Sequence, residues 1–124
     1  MAHITISKEV CLGSFQRMSD GAKALYYLLL ILADREGFCD RTLPLRIGNH
    51  TEQELYELAS GGYIIDLGNV IAIRHWYLHD PLARKMKHST VFKDARNALT
   101  IKDWIYELKE RAQDEENKGT IRDL

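Results

Sequence analysis

Two cysteines and two prolines are few for a chain of 124 residues, and other absences narrow the field further. Cys11 and Cys39 cannot build the disulfide framework of a small secreted domain, and neither stands in a CxxC or Cys/His ligand spacing, so free thiols are expected. The longest apolar run, Ala24 to Ala33, falls far short of the roughly 20 residues a membrane span needs. The opening MAHITISKEV lacks the basic start, apolar stretch and small-residue cleavage site of a signal peptide, so a cytoplasmic protein without membrane association is expected. A surplus of one charge is missing too. Lys plus Arg number 17 against 18 Asp plus Glu, so no global field draws in nucleic acid or an anionic surface.

Chemistry-bearing motifs are equally scarce. There is no GxxxxGK[ST], GxGxxG or GxSxG, so nucleotide hydrolysis and serine-nucleophile chemistry lack a starting point. His75 and His79 are four apart, a spacing that binds metal when both lie on one helix face with a third ligand. Asp80–Pro81 follows at once and no HExxH is present. No enzyme activity, cofactor or metal is expected.

What is present is ordinary globular composition, 45% hydrophobic and 28% charged, which fits one domain with a single core. Charge is unevenly spread. Residues 1–40, 41–73, 74–96 and 97–124 carry balances of −1, −2, +4 and −2, so positive charge collects between Arg74 and Arg96.

Ser19 is a candidate N-cap for a helix from about 20 to 35, apolar on nearly every face and therefore the centre of the core. A short helix over Leu43 to Ile47 should end at Gly48–Asn49. Thr51-Glu-Gln-Glu54 is a capping box opening a second helix that stops at Gly61–Gly62, which gives a helix-turn-helix order. Tyr63–Asp66 and Val70–Ile73 are β-branched runs joined by Leu67, Gly68 and Asn69, the pattern of a small hairpin. The expected fold is mainly α with a small β-hairpin, a winged helix-turn-helix over residues 1–99 plus C-terminal helices. Ile101, Trp104, Ile105 and Leu108 fall on one stripe of a helix expected over 100–116, an association surface followed by a polar tail.

The set ISKEV at 6–10, Phe15 with Met18, AKALYYLLL, AD-x-x-GF-x-D at 33–40, Gly62-Tyr-Ile-Ile, Val70-Ile-Ala-Ile and HW-x-x-H at 75–79 resembles the N-terminal winged-helix domain of replisome organizer and replication initiation proteins of phages and prophages in Gram-positive bacteria. The string from Arg84 to Thr90 is similar to the basic segment after that family's HW signature. The resemblance implies a DNA-binding, DnaD-like module acting at a replication origin, with double-stranded DNA as partner and helicase-loading proteins and a second copy as candidates. Family members usually continue into a second domain, for which a chain ending at Leu124 has no room, so a fragment or a reduced relative is expected. Glu52, Glu54 and Glu57 also sit on the helix that should enter the major groove, where carboxylates near phosphates weaken binding.

Two readings follow. In the first, Arg74, Arg84, Lys85, Lys87, Lys93 and Arg96 supply the phosphate-holding charge, while Arg46, His50 and Gln53 lie on or near the helix that reads bases. In the second, the winged helix has lost DNA contact and uses its acidic helix and the Trp104 stripe for oligomerisation or partner docking.

Overall fold

In the computed structural model, residues 4–86 and 90–109 are described. The Ser19 side chain accepts from the Ala22 N–H at 3.1 Å and starts α2, Asp20–Leu32. It is preceded by a one-turn helix, α1, Lys8–Cys11. Ala22, Leu25, Tyr26 and Leu29 of α2 are fully buried, but Tyr27 and Ile31 are exposed, so the helix meets the core on one side and not all round. The helix ends earlier than position 35 because Asp34 turns the chain: its carboxylate accepts from the N–H of Glu36 and of Phe38. Between α1 and α2 a 3₁₀ turn, Gly13–Arg17, inserts Phe15 against Tyr26 and Tyr63, with ring centroids 5.1 and 5.3 Å away.

After the turn come β1, Phe38–Asp40; α3, Thr42–Ile47; α4, Glu52–Ser60; β2, Ile64–Asp66; and β3, Val70–Ile73. The capping box forms as read, with Thr51 Oγ accepting from the Glu54 N–H and the Glu54 carboxylate reaching back to the Thr51 N–H. Thr51→Ala should therefore cost about 1 kcal/mol in urea denaturation. The hairpin also forms, with Ile64 opposite Ile73 and Asp66 opposite Ile71. β1, for which no strand was expected, pairs antiparallel with the other side of β3, Phe38 opposite Ala72, giving the order β1-β3-β2. The chain is thus mainly helical with a small antiparallel sheet. Both cysteines are buried and free.

The C-terminal reading needs correction. Two short helices, α5 Trp76–His79 and α6 Lys93–Asn97, flank a 3₁₀ turn at Pro81–Lys85. Beyond them the helix expected over 100–116 is absent from its described part. Residues there form a second hairpin, β4 Leu99–Lys102 and β5 Ile105–Leu108, with Ile101 opposite Tyr106. The apolar positions fit both periods over so short a window, and the β-branched and aromatic content of Thr100, Ile101, Ile105 and Tyr106 favours strands. Tyr106 is fully buried in the main core and donates to the Glu36 carbonyl at 2.7 Å, so β4 and β5 close that core. The supposed association stripe is dispersed: Ile101 and Ile105 are half-buried, while Trp104 at the turn and Leu108 are exposed. Residues 110–116, and the polar tail, lie outside the described residues. Among the described residues no helix is long and apolar enough to cross a membrane.

Candidate nucleic-acid interface

Helix α4 packs on α2 and β2 through Leu55 and Leu58. Its first turn follows Gly48, Asn49 and His50, with Asn49 at φ +54° in the left-handed region that Asn tolerates. Each of its three glutamates has a partner within the fold. Glu52 takes a two-pronged bond from Arg41, whose Nε also donates to Asp66 at 3.1 Å. Glu54 serves the capping box and lies 3.2 Å from His50 Nδ1. Glu57 accepts from the N–H and the hydroxyl of Ser19, both at 2.8 Å, pinning the start of α2. The Arg41 bond holds Glu52 below the usual carboxylate range, and the Thr51 N–H, with lesser help from His50, does so for Glu54. Gln53 is exposed and Tyr56 is 67% exposed, and α4 presents them to solvent together with the Arg41-bound Glu52. Arg46 is exposed at the end of α3, whereas His50 is half-buried beside Glu54.

The basic stretch is largely engaged in holding the fold. Arg74 is half-buried with Nη1 3.4 Å from the Gly62 carbonyl. Arg84 donates from Nε to the Tyr77 carbonyl at 3.1 Å, and its guanidinium lies 4.9 Å from the Trp104 ring centroid. Arg96 donates to the Leu99 carbonyl at 3.1 Å, stands 3.4 Å from the Glu36 carboxylate and lies over Tyr106. Glu36 is only 3% exposed and also accepts from the Thr90 N–H at 2.8 Å. Lys85 and Lys93 are exposed, and Lys87 lies outside the described residues. This stretch packs on α5 and the second hairpin, while α4 packs on α2 and β2. The expected phosphate grip and the expected reading helix therefore rest on different elements.

His79 is structural in its observed contacts, whereas the buried His75 Nδ1 has no hydrogen-bond partner among the described residues. His79 Nδ1 accepts from the Ser7 N–H at 2.9 Å, so Nε2 carries the proton and donates to Tyr26 Oη at 2.6 Å. The Thr5 hydroxyl donates to the His79 carbonyl, which ties the N-terminal segment to α5. Burial pushes both His75 and His79 down to about 4. No signal in the sequence reveals these partners, because Ser7 and Tyr26 are 72 and 53 positions away.

A cavity of about 540 Å³ opens between β2 and β5, lined among others by Ile64, Asp66, Arg74, Lys102, Tyr106 and Leu108. The bonds Arg74 N–H to Tyr63 C=O and Leu67 N–H to Val70 C=O mark the close pairs of the first hairpin. Alternation then turns the backbone groups of Ile64 and Asp66 away from β3. The Lys109 N–H to Ala98 C=O bond does the same for Tyr106 and Leu108 on β5, and the Tyr106 N–H uses this freedom to reach the Arg74 carbonyl. No family model, curated protein or solved structure matches this chain.

Proposed function

We propose that the chain is a winged-helix module that binds double-stranded DNA through α4, in the initiation of DNA replication. The reading is carried by one observation. The succession α2, β1, α3, α4, β2, β3 with strand order β1-β3-β2 is the arrangement in which a winged helix offers its second helix to the major groove, and the α4 glutamates are engaged by partners in the fold. Gln53 can then pair with base edges, Tyr56 can lie along the groove, and Arg46 can hold a phosphate. The Leu67–Asn69 turn is too short to reach far along the duplex. The signatures from Ile6–Val10 to His75–His79 support a place at a replication origin.

Phosphate contacts fall to Arg46, Lys85 and Lys93 more than to Arg74, Arg84 and Arg96, whose side chains are held by the fold. With three phosphates neutralised, the log–log salt slope should be about −3. Fluorescence anisotropy of labelled duplex should show Arg46→Ala weakening all sequences alike and reducing that slope by roughly one unit. Gln53→Ala should act on a preferred sequence more than on random duplex. Duplex binding that is absent at tens of micromolar, or insensitive to both changes, would remove the reading.

A second reading is partner docking. It is favoured by the outward-facing backbone of β2 and β5 along their shared cavity, where an extended peptide segment could add as a strand. Light scattering and peptide-array binding with a charge reversal at Lys102 would detect it.

A further inference from the structure

Trp104 sits where a tryptophan is least at home. It is the second residue of the two-residue turn between β4 and β5, with φ +64° after Asp103 at +53°. Such turns favour Asn and Gly, because a side chain at positive φ is strained. The residue is nevertheless 42% exposed, so core packing explains only part of its placement. Two groups fix its orientation: the Arg84 guanidinium at 4.9 Å from its centroid and the Tyr77 ring at 5.8 Å. Arg84 is itself anchored to the Tyr77 carbonyl, so the Arg–Trp stack is built in advance of any ligand. Lys102 precedes the turn and Asp103 lies within it, both exposed.

A preset aromatic plane backed by a guanidinium, with a lysine at the foot of its turn, is an arrangement that can stack an unpaired base and neutralise its phosphate. In duplex DNA the bases are already stacked and cannot reach such a platform. We propose that the Trp104–Arg84 platform binds single-stranded nucleic acid, at a site separate from α4. Strain at a turn is kept when the side chain it displays has a use, and here the side chain displayed is the one with the largest stacking surface. The proposal does not depend on duplex binding by α4.

The two tryptophans make the test direct. Trp76 is buried and donates from its indole N–H to the Arg35 carbonyl, so its emission reports the fold, while exposed Trp104 reports the platform. Titrating the full chain with a twelve-residue oligothymidylate should quench the Trp104 share of the fluorescence. The log–log salt slope should be about −1 to −2, from roughly 0.7 per phosphate on a single strand. Trp104→Gly suits the backbone at φ +64° and should keep the Trp76 emission and the thermal transition while weakening oligothymidylate binding roughly ten- to hundredfold. Trp104→Phe should retain most of it. Gln53→Ala should leave it unchanged, which separates this site from the α4 surface. The proposal is overturned if the oligomer gives no quench, if Trp104→Gly binds as tightly as the parent, or if a 12-base-pair duplex quenches as strongly. It is overturned as well if vesicles with one-third anionic phospholipid shift the emission to the blue and the oligomer does not quench, since the exposed Leu82 and Met86, two positions either side of Arg84, would then mark a membrane contact.

Discussion

Arg96→Ala is expected to lower stability by about 1–3 kcal/mol, the range for a buried hydrogen-bonded group that loses one of its partners. Glu36 is held almost out of water by the packing of Tyr106 and by Thr90, and the Arg96 guanidinium stands against its carboxylate at 3.4 Å. Removing Arg96 takes one of the buried carboxylate's partners away, and the same change uncovers Tyr106 and frees the Leu99 carbonyl. Arg96→Lys should recover part of the loss, since an ammonium keeps the charge but cannot donate to Glu36 and Leu99 in one plane. Glu36→Gln combined with Arg96→Ala should cost less than the sum of the two single changes. Chemical denaturation of the four proteins checks this, and an Arg96→Ala midpoint equal to the parent's would show that the pair does not hold the second hairpin. A marked loss would also separate Arg96 from the phosphate-contacting residues, because its effect would appear without DNA.

Acidification should destabilise the chain between pH 6.5 and about 4 through His79. Its imidazole is neutral in the fold because burial lowers it to about 4, whereas the unfolded chain binds the proton near 6.5. The unfolded state therefore takes up more protons across that window, and stability falls as pH falls, by roughly 2–3 kcal/mol when complete. The geometry gives the cause in atomic terms: protonation would put an N–H on Nδ1, facing the Ser7 N–H that it now accepts. His75 shifts in the same direction and adds to the loss. His79→Gln should flatten the pH dependence by about one proton in this interval, and hydrogen exchange at the Ser7 amide should accelerate first as the parent is acidified. Parallel pH curves for parent and variant would contradict the assignment.

Several elements were legible because their signals are local. The Ser19 cap, the Thr51–Glu54 capping box and the Gly68–Asn69 turn each lie within a few residues of the structure they specify, and all formed as read. The strand β1 was not legible, for it is three residues long and gains its identity only from β3, some thirty positions away. The second hairpin was missed for a related reason. Ile101, Trp104, Ile105 and Leu108 satisfy a helical stripe, and what selects the alternating pattern is the place of Tyr106 between Glu36, Tyr77 and Phe38.

The candidate site divides in the same way. Sequence located the exposed residues of α3 and α4 and the concentration of positive charge from Arg74 to Arg96. Tertiary structure decided which of those charges remain accessible. A basic side chain has the same formal charge wherever it lies, but its availability to a phosphate depends on what else lies within hydrogen-bonding distance. Arg96 is held by Glu36 from sixty positions earlier in the chain, and Arg84 by Tyr77 and by a tryptophan twenty positions later, while Lys85 and Lys93 remain exposed. By itself the sequence determined α2, α3 and α4, the Ser19 and Thr51 caps and the first hairpin, since these are set by propensity and short-range bonds. The third strand, the second hairpin and the division of arginines between core and surface were decided by packing, because each depends on partners that only the closed chain brings together.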